Sequence, residues 1–270
     1  MEREQWLAEA EACERAQAPH TAGCIVRHCI ELEVDVEDRL RTWTGDAKAA
    51  VEKGSVVTAR AMYSFTLKEF KTKRSVWLQA IDLEKTHGSS KDLFDILRLA
   101  VTNVPRAEIL WLMFAKEKWI SGDIAHAREI LTEAFSANPN AEMVWLAAAK
   151  LEWENDEIKR ARALYKRARE QSPTAKVWMK SALLERECQN FDVALELLEE
   201  GRVKYPNFDK FYLMGFQICE EIRDEGKMKL WFTRGTKACG GCIDLFIIAS
   251  KHEEGKGGVA KARSILEVAR

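Results

Sequence analysis

Residues 105–145 read PRAEILWLMFAKEKWISGDIAHAREILTEAFSANPNAEMVW. Pro105 and Trp111 return in it as Pro139 and Trp145, each 34 residues further on. Between them lie two runs, ILWLMFAKEKW and AHAREILTEAF, whose apolar residues recur at three and four. That spacing is the helical period, and the intervening SGD breaks it as a turn would. The proline after the second run stops it, because proline has no N–H to donate and its ring clashes with the preceding turn. The same clock runs outward in both directions. Trp43, Trp77, Trp111 and Trp145 are 34 apart, Trp178 follows after 33, and Tyr212 and Phe246 keep the phase at 34 each. Trp6 precedes Trp43 by 37, and Pro105, Pro139, Pro173 and Pro206 are spaced 34, 34 and 33. Two independent residue types on one period mark a structural repeat.

The expected fold is therefore all-α, a right-handed α-solenoid of about eight antiparallel helical hairpins. The repeats fall at 1–38, 39–72, 73–106, 107–140, 141–174, 175–207, 208–241 and 242–270, the last incomplete. The first linker, EVDVEDRL, is about three residues longer than the others. Gly88, Gly122, Asn155 with Asp156, and Asn190 stand where a turn is wanted, and Asn140, Thr174 and Asn207 where a helix N-cap is wanted. The first hairpin begins at once, and the last breaks off at Ala269-Arg270. Neither end carries a polar capping helix, which predicts a stretch of a longer array.

Composition narrows the function. The chain has 270 residues, with 42 Lys and Arg against 43 Asp and Glu, a formal net charge of −1. That balance argues against wrapping nucleic acid by bulk charge and against a polybasic membrane surface. Apolar residues make up 47% and charged ones 31%, the mixture of a folded domain rather than a disordered tail. No apolar run is long enough for a transmembrane helix, and the acidic, amphipathic MEREQWLAEAEACERA is no signal peptide.

The seven cysteines, with no export signal, read as reduced thiols of the cytosol or nucleus. Cys239-Gly-Gly-Cys242 has zinc or redox spacing, but no second ligand pair and no βαβ setting accompany it, so it reads as loop cysteines. Cys24, His28 and Cys29 share a spacing that two helical turns produce by chance. Phosphate-binding glycine loops, nucleophile elbows and zinc-protease motifs are missing. The five histidines are scattered, and Glu152, Glu154, Asp156 and Glu157 read as the solvated end of a helix. No catalytic residue, cofactor, metal site or small-molecule substrate is expected.

The tryptophans at the phase positions are expected to wedge between neighbouring hairpins as core. A second pattern concerns charge. Pairing each second helix with the first helix of the next repeat matches Arg60 with Glu84, Arg128 with Glu152, Arg162 with Glu185, and Lys229 with Glu253. Where the base is missing the acid is missing too: Phe94 meets Lys118, and Leu195 meets Cys219. The first junction departs, with Arg27 matched to Ala50. One reading is an inter-repeat ion pair that sets the stacking angle; the other is separate solvated charges. Lys159, Arg162, Lys166 and Arg169 form one basic stripe at helical spacing. Either Lys159, Lys166 and Arg169 meet RNA phosphate or an acidic partner, or they are a solvated outer face.

Hairpins of about 34 residues with W…E in the first helix, AR…(Y/F)…A in the second and a closing proline resemble HAT (half-a-TPR) repeats. The stretches REQWLAEAEACERA, RSVWLQAIDLEKTHG, AEILWLMFAKEKWISGDIAHAREIL and ANPNAEMVWLAAAKLEWENDE resemble the HAT-repeat family of the U5 small nuclear ribonucleoprotein. The likeness is dense from about residue 2 to 187 and thinner after 200. What it implies is a nuclear, non-enzymatic scaffold for mRNA splicing, bridging the U5 and U4/U6 particles of the tri-snRNP, with spliceosomal proteins as partners. The rival readings are a scaffold in another RNA-processing HAT complex and a helical-repeat protein that binds RNA directly.

Overall fold

The computed structural model describes residues 2–268, in which there are sixteen α-helices and no strand. The expected break at Ala269-Arg270 lies outside the described residues. Contacts group the chain into two compact units that divide after Pro139. The first unit holds four hairpins: α1 (Arg3–Arg15) with α2 (Pro19–Cys29), α3 (Arg39–Glu52) with α4 (Val56–Glu69), α5 (Arg74–His87) with α6 (Ser90–Asn103), and α7 (Glu108–Ile120) with α8 (Ile124–Ala137). The second holds four more: α9 (Glu142–Glu154) with α10 (Ile158–Gln171), α11 (Ala175–Glu187) with α12 (Phe191–Lys204), α13 (Asp209–Glu221) with α14 (Glu225–Ala238), and α15 (Ile243–Gly255) with α16 (Val259–Val268). Stacked helical hairpins of this kind are the α-solenoid arrangement.

The hairpin turns share one device. Gln17, Gly54, Gly122, Asp156, Gln189, Arg223 and Gly257 are left-handed, with φ between 59° and 84°. The residue after each donates its N–H to the carbonyl five residues back, as in Asp123 to Lys118 and Asn190 to Glu185. This is the Schellman closure, which satisfies a carbonyl that the ending helix leaves open. The third hairpin is the exception. Gly88 sits at φ −88°, and its own N–H bonds only four back, to Glu84. The turn residue in the sixth hairpin is Gln189; Asn190 is the next one, at the N-cap of α12.

Of the expected caps, Thr174 does cap α11, its hydroxyl accepting from the Val177 N–H at 3.3 Å. Asn140 and Asn207 do not, because α9 and α13 are preceded by Ala141 and Phe208. The repeat with 33-residue spacing is one residue shorter after its proline, which alone brings the polar residue onto the cap.

In the first unit α4 packs on α5 and α6 on α7, each a second helix on the next first helix. The same holds in the second unit, where consecutive first helices α9, α11, α13 and α15 also touch. The first hairpin differs, with α2 and α1 both resting on α4. Its longer linker gives the chain room to reach that helix. Early in four of the second helices, α4, α8, α10 and α12, stands a fully buried alanine, Ala59, Ala127, Ala161 and Ala194. A methyl group there lets two helices approach closely. The third hairpin has Leu93 there and the seventh Met228, and α5 and α6 pack less tightly than the helices of any other hairpin.

Candidate functional site

The seventh residue after each phase aromatic is the one whose carbonyl closes the turn, so its side chain leaves the last turn of the first helix at a set height. At the α4–α5 junction that residue is Glu84, 6% exposed. Arg60 donates Nε to its Oε1 at 2.6 Å and Nη2 to its Oε2 at 2.8 Å. At α10–α11, Arg162 makes the same fork on Glu185, both bonds 2.8 Å, and Asn190 adds a third at 3.0 Å. Burial alone would raise the Glu185 carboxyl, but the bonds from Arg162 and Asn190 outweigh it and hold the group below its ordinary value. The Glu84 bond correspondingly raises Arg60.

The same slot takes other occupants. At α6–α7, Lys118 lies over the Phe94 ring, Nζ 3.9 Å from its centroid. At α12–α13, Leu195 and Cys219 sit in one apolar cluster, and burial pushes the Cys219 thiol up to about 11. At α14–α15 the expected pair does not form. Glu253 accepts instead from Lys261 at 2.8 Å, inside its own hairpin. Lys229 has a shorter reach than arginine and no fork to hold the carboxylate. Arg128 lies near the start of α8, the last helix of the first unit, and Glu152 lies within 4.0 Å of Arg160 in the second; the pairing of Arg128 with Glu152 is an expectation from the spacing.

A second regularity was not read from the sequence. Trp77 donates its indole N–H to the carbonyl six residues back, Lys71, at 2.8 Å, and Trp111 does the same to Pro105. Tyr212 keeps the contact with its hydroxyl, to Pro206 at 2.7 Å. The residue that caps the hairpin's second helix joins in from the other side. Asn138 donates to Pro105 at 2.8 Å, Tyr205 to Pro173, and Cys239 points its thiol at Pro206 from 3.9 Å. The prolines thus stop one helix and offer a carbonyl to the next hairpin. The available signal was a polar residue directly before the proline, as in Asn138-Pro139 and Tyr205-Pro206.

Trp178 loses this contact because its proline is one residue nearer. Its N–H is buried with no acceptor, and its ring lies between the Arg169 guanidinium at 5.2 Å and the Lys204 ammonium at 4.2 Å. Trp43, the largest fully buried side chain, also leaves its N–H unpaired, among Phe65, Phe70 and Arg39. Trp6 is half-buried, edge-on to His28. Phe246 packs against Phe232, and Trp145 is buried in its own unit.

The basic stripe does not act as one surface. Arg162 is held by Glu185, and Arg169 turns inward onto Trp178, where burial lowers its pKa. Lys159 and Lys166 remain exposed. Cys239 and Cys242 are free thiols at a helix end and a helix start, raised by burial. Among the described residues no group of three His, Cys, Asp or Glu side chains could hold a metal ion, and no helix is long and apolar enough to cross a membrane.

Along its whole length the chain is 41% identical, over 270 residues, to pre-mRNA-splicing factor prp1 of Schizosaccharomyces pombe. The chain is a homologue of the Prp1/Prp6 pre-mRNA-processing factors. It spans 30% of the length of prp1. Human pre-mRNA-processing factor 6 is 43% identical over 78 residues, which cover 29% of this chain and 8% of that protein. Residues 119–184 match the tetratricopeptide repeat family. The C-terminal part of a TPR repeat-containing protein from Cytophaga hutchinsonii aligns with a TM-score of 0.55 at 11% identity, covering 83% of this chain and 92% of that one. At that identity the likeness speaks for the helical-hairpin fold alone.

Proposed function

We propose that this Prp1/Prp6 homologue is a non-enzymatic, nuclear scaffold of pre-mRNA splicing that holds proteins of the U5 and U4/U6 particles together in the tri-snRNP. The observation that carries the reading is the 41% identity to a splicing factor across every repeat of the chain. Repeated hairpins suit the task. Each adds a further helix face to a binding surface, and affinity is spread over several anchors rather than one cleft. The junction pairs and proline clasps would set how those faces are presented. Direct RNA contact is secondary in this reading, since the net charge is −1 and two of the four stripe residues are engaged inside the fold.

The test is a pull-down from nuclear extract with the tagged chain, followed by identification of what is retained. U5 and U4/U6 proteins are expected. Recovery of 3′-end cleavage or ribosome-assembly proteins in their place would overturn the assignment. Tight binding to single-stranded RNA with a steep salt dependence would promote RNA reading above it.

A further inference from the structure

The loose third hairpin opens the side of the first unit. Its turn lacks the left-handed closure, and α5 and α6 pack less tightly than the helices of any other hairpin. A groove of about 440 Å³ results between α4 and α6, with α5 as its floor. Leu67, Trp77, Leu83 and Ile96 line it, and Leu99 stands on its rim with 55% of its surface exposed. The two ends carry opposite charge. Lys68 and Lys71 lie at the end where α4 finishes, Asp92 and Asp95 where α6 begins. Lys68, Lys71 and Asp95 make no ion pair among the described residues, so their charge faces whatever fills the groove.

We propose that this groove is the docking site for an amphipathic helix of a partner protein, acidic at one end and basic at the other. This rests on the scaffold reading and gives it a location. The shape argues for a helix. The walls are two helices of 14 residues each, about 21 Å long at the helical rise, with α5 between them as the floor. The lining argues for an apolar stripe, presented at three-and-four spacing as in other helix-in-groove complexes. The charges argue for polarity: an acidic end over Lys68 and Lys71, a basic end over Asp92 and Asp95. Such rim charges choose partner and direction more than they add affinity. A nucleic acid would meet apolar walls and two carboxylates, Asp92 and Asp95.

The experiment uses the whole chain and three labelled peptides of about 14 residues, matched to the groove length. Each carries leucines at helical spacing and a lactam bridge on the polar face, which lowers the ordering cost of a short helix. One has glutamates at its first turn and lysines at its last; the others have glutamates at both ends or lysines at both ends. Fluorescence anisotropy should show the mixed-charge peptide binding at least about tenfold more tightly than either uniform one. Leu99→Glu should weaken it by a further tenfold or so, by placing a charge in an apolar contact. Ile120→Glu, at an exposed position outside the groove, should leave it unchanged. The double change Lys68→Glu with Lys71→Glu should shift the preference to the peptide with lysines at both ends. Circular dichroism of each variant keeps loss of fold separate from loss of binding. No binding by any peptide, equal binding by all three, or binding indifferent to Leu99→Glu overturns the proposal. The Leu99→Glu chain is also taken through the nuclear-extract pull-down. If it still retains splicing proteins while the peptides fail, the groove is wrong and the scaffold reading stands.

Discussion

Lys118 holds its ammonium 3.9 Å from the centre of the Phe94 ring, in the slot where Arg60 grips Glu84 one junction earlier. The slot is thus a fixed place in the stack, and its chemistry is interchangeable provided both sides change together. Phe94→Leu should cost about 1 kcal/mol, the worth of a partly desolvated cation–π contact. The double change Phe94→Arg with Lys118→Glu should recover that loss by installing the fork found next door. Urea unfolding of Phe94→Arg, Lys118→Glu and the double supplies the cycle; strictly additive costs would mean the two side chains do not interact.

The Arg162–Glu185 pair should be asymmetric. Arg162→Ala strands a buried carboxylate with Asn190 alone and should cost about 1–3 kcal/mol. Glu185→Gln keeps the bond to Asn190 and leaves an arginine that is 41% exposed at its side chain and can be hydrated, so it should cost less. Thermal unfolding ranks the two, and the reverse order would mean that the arginine's packing matters more than its charge.

Acid should act through the same residue. The folded-state pKa of Glu185 is lowered, so its stabilisation is complete above the ordinary value of 4.5 and is lost as pH falls through the folded value. Wild type should therefore lose more Tm below pH 4.5 than Glu185→Gln does. In Arg162→Ala the largest lowering contact is gone while the burial that raises the group stays, so mild acid should destabilise that variant less than it destabilises wild type. A pH series of melting curves on the three proteins checks both slopes.

The proline clasp should distinguish two tryptophans that look alike in the repeat. Trp111→Phe removes a hydrogen bond to Pro105, worth about 0.5–1.5 kcal/mol beyond the lost ring area. Trp178→Phe removes an N–H that has no acceptor, so its cost should be the smaller. Equal destabilisation in denaturant melts would remove the carbonyl contact from the account of how the hairpins are joined.

Cys219 fills the slot at the α12–α13 junction as an apolar residue. It is buried and its thiol is raised to about 11, so little thiolate exists near neutral pH. A maleimide at pH 7.5 should label the exposed Cys24 quickly and Cys219 only on unfolding, as read by peptide mass spectrometry. Early labelling of Cys219 would show that this junction opens in the native state.

The arrangement of helices was legible because it is periodic. Trp111, Trp145 and the prolines recur at a distance that only a two-helix unit explains, and helical turns translate that count into facing positions. The register linking second helices to the next first helices can be counted the same way, which is why Arg60 and Glu84 could be named together. The hydrogen bonds of the clasp were not legible, since they join side chains to carbonyls, and every residue has a carbonyl. Trp178 shows how fine the margin is: one residue fewer after Pro173 leaves the motif intact to the eye and its N–H without a partner.

Spacing and polarity alone determined that this chain is a run of helical hairpins, because that follows from 3.6 residues per turn. Only the folded molecule decided what each junction is made of: a fork at Arg162, a ring and an ammonium at Phe94, a swap to Lys261 at Glu253. It also decided that the third hairpin stands open. These depend on reach and on how closely two backbones can approach, and neither is a property of residues taken along a line.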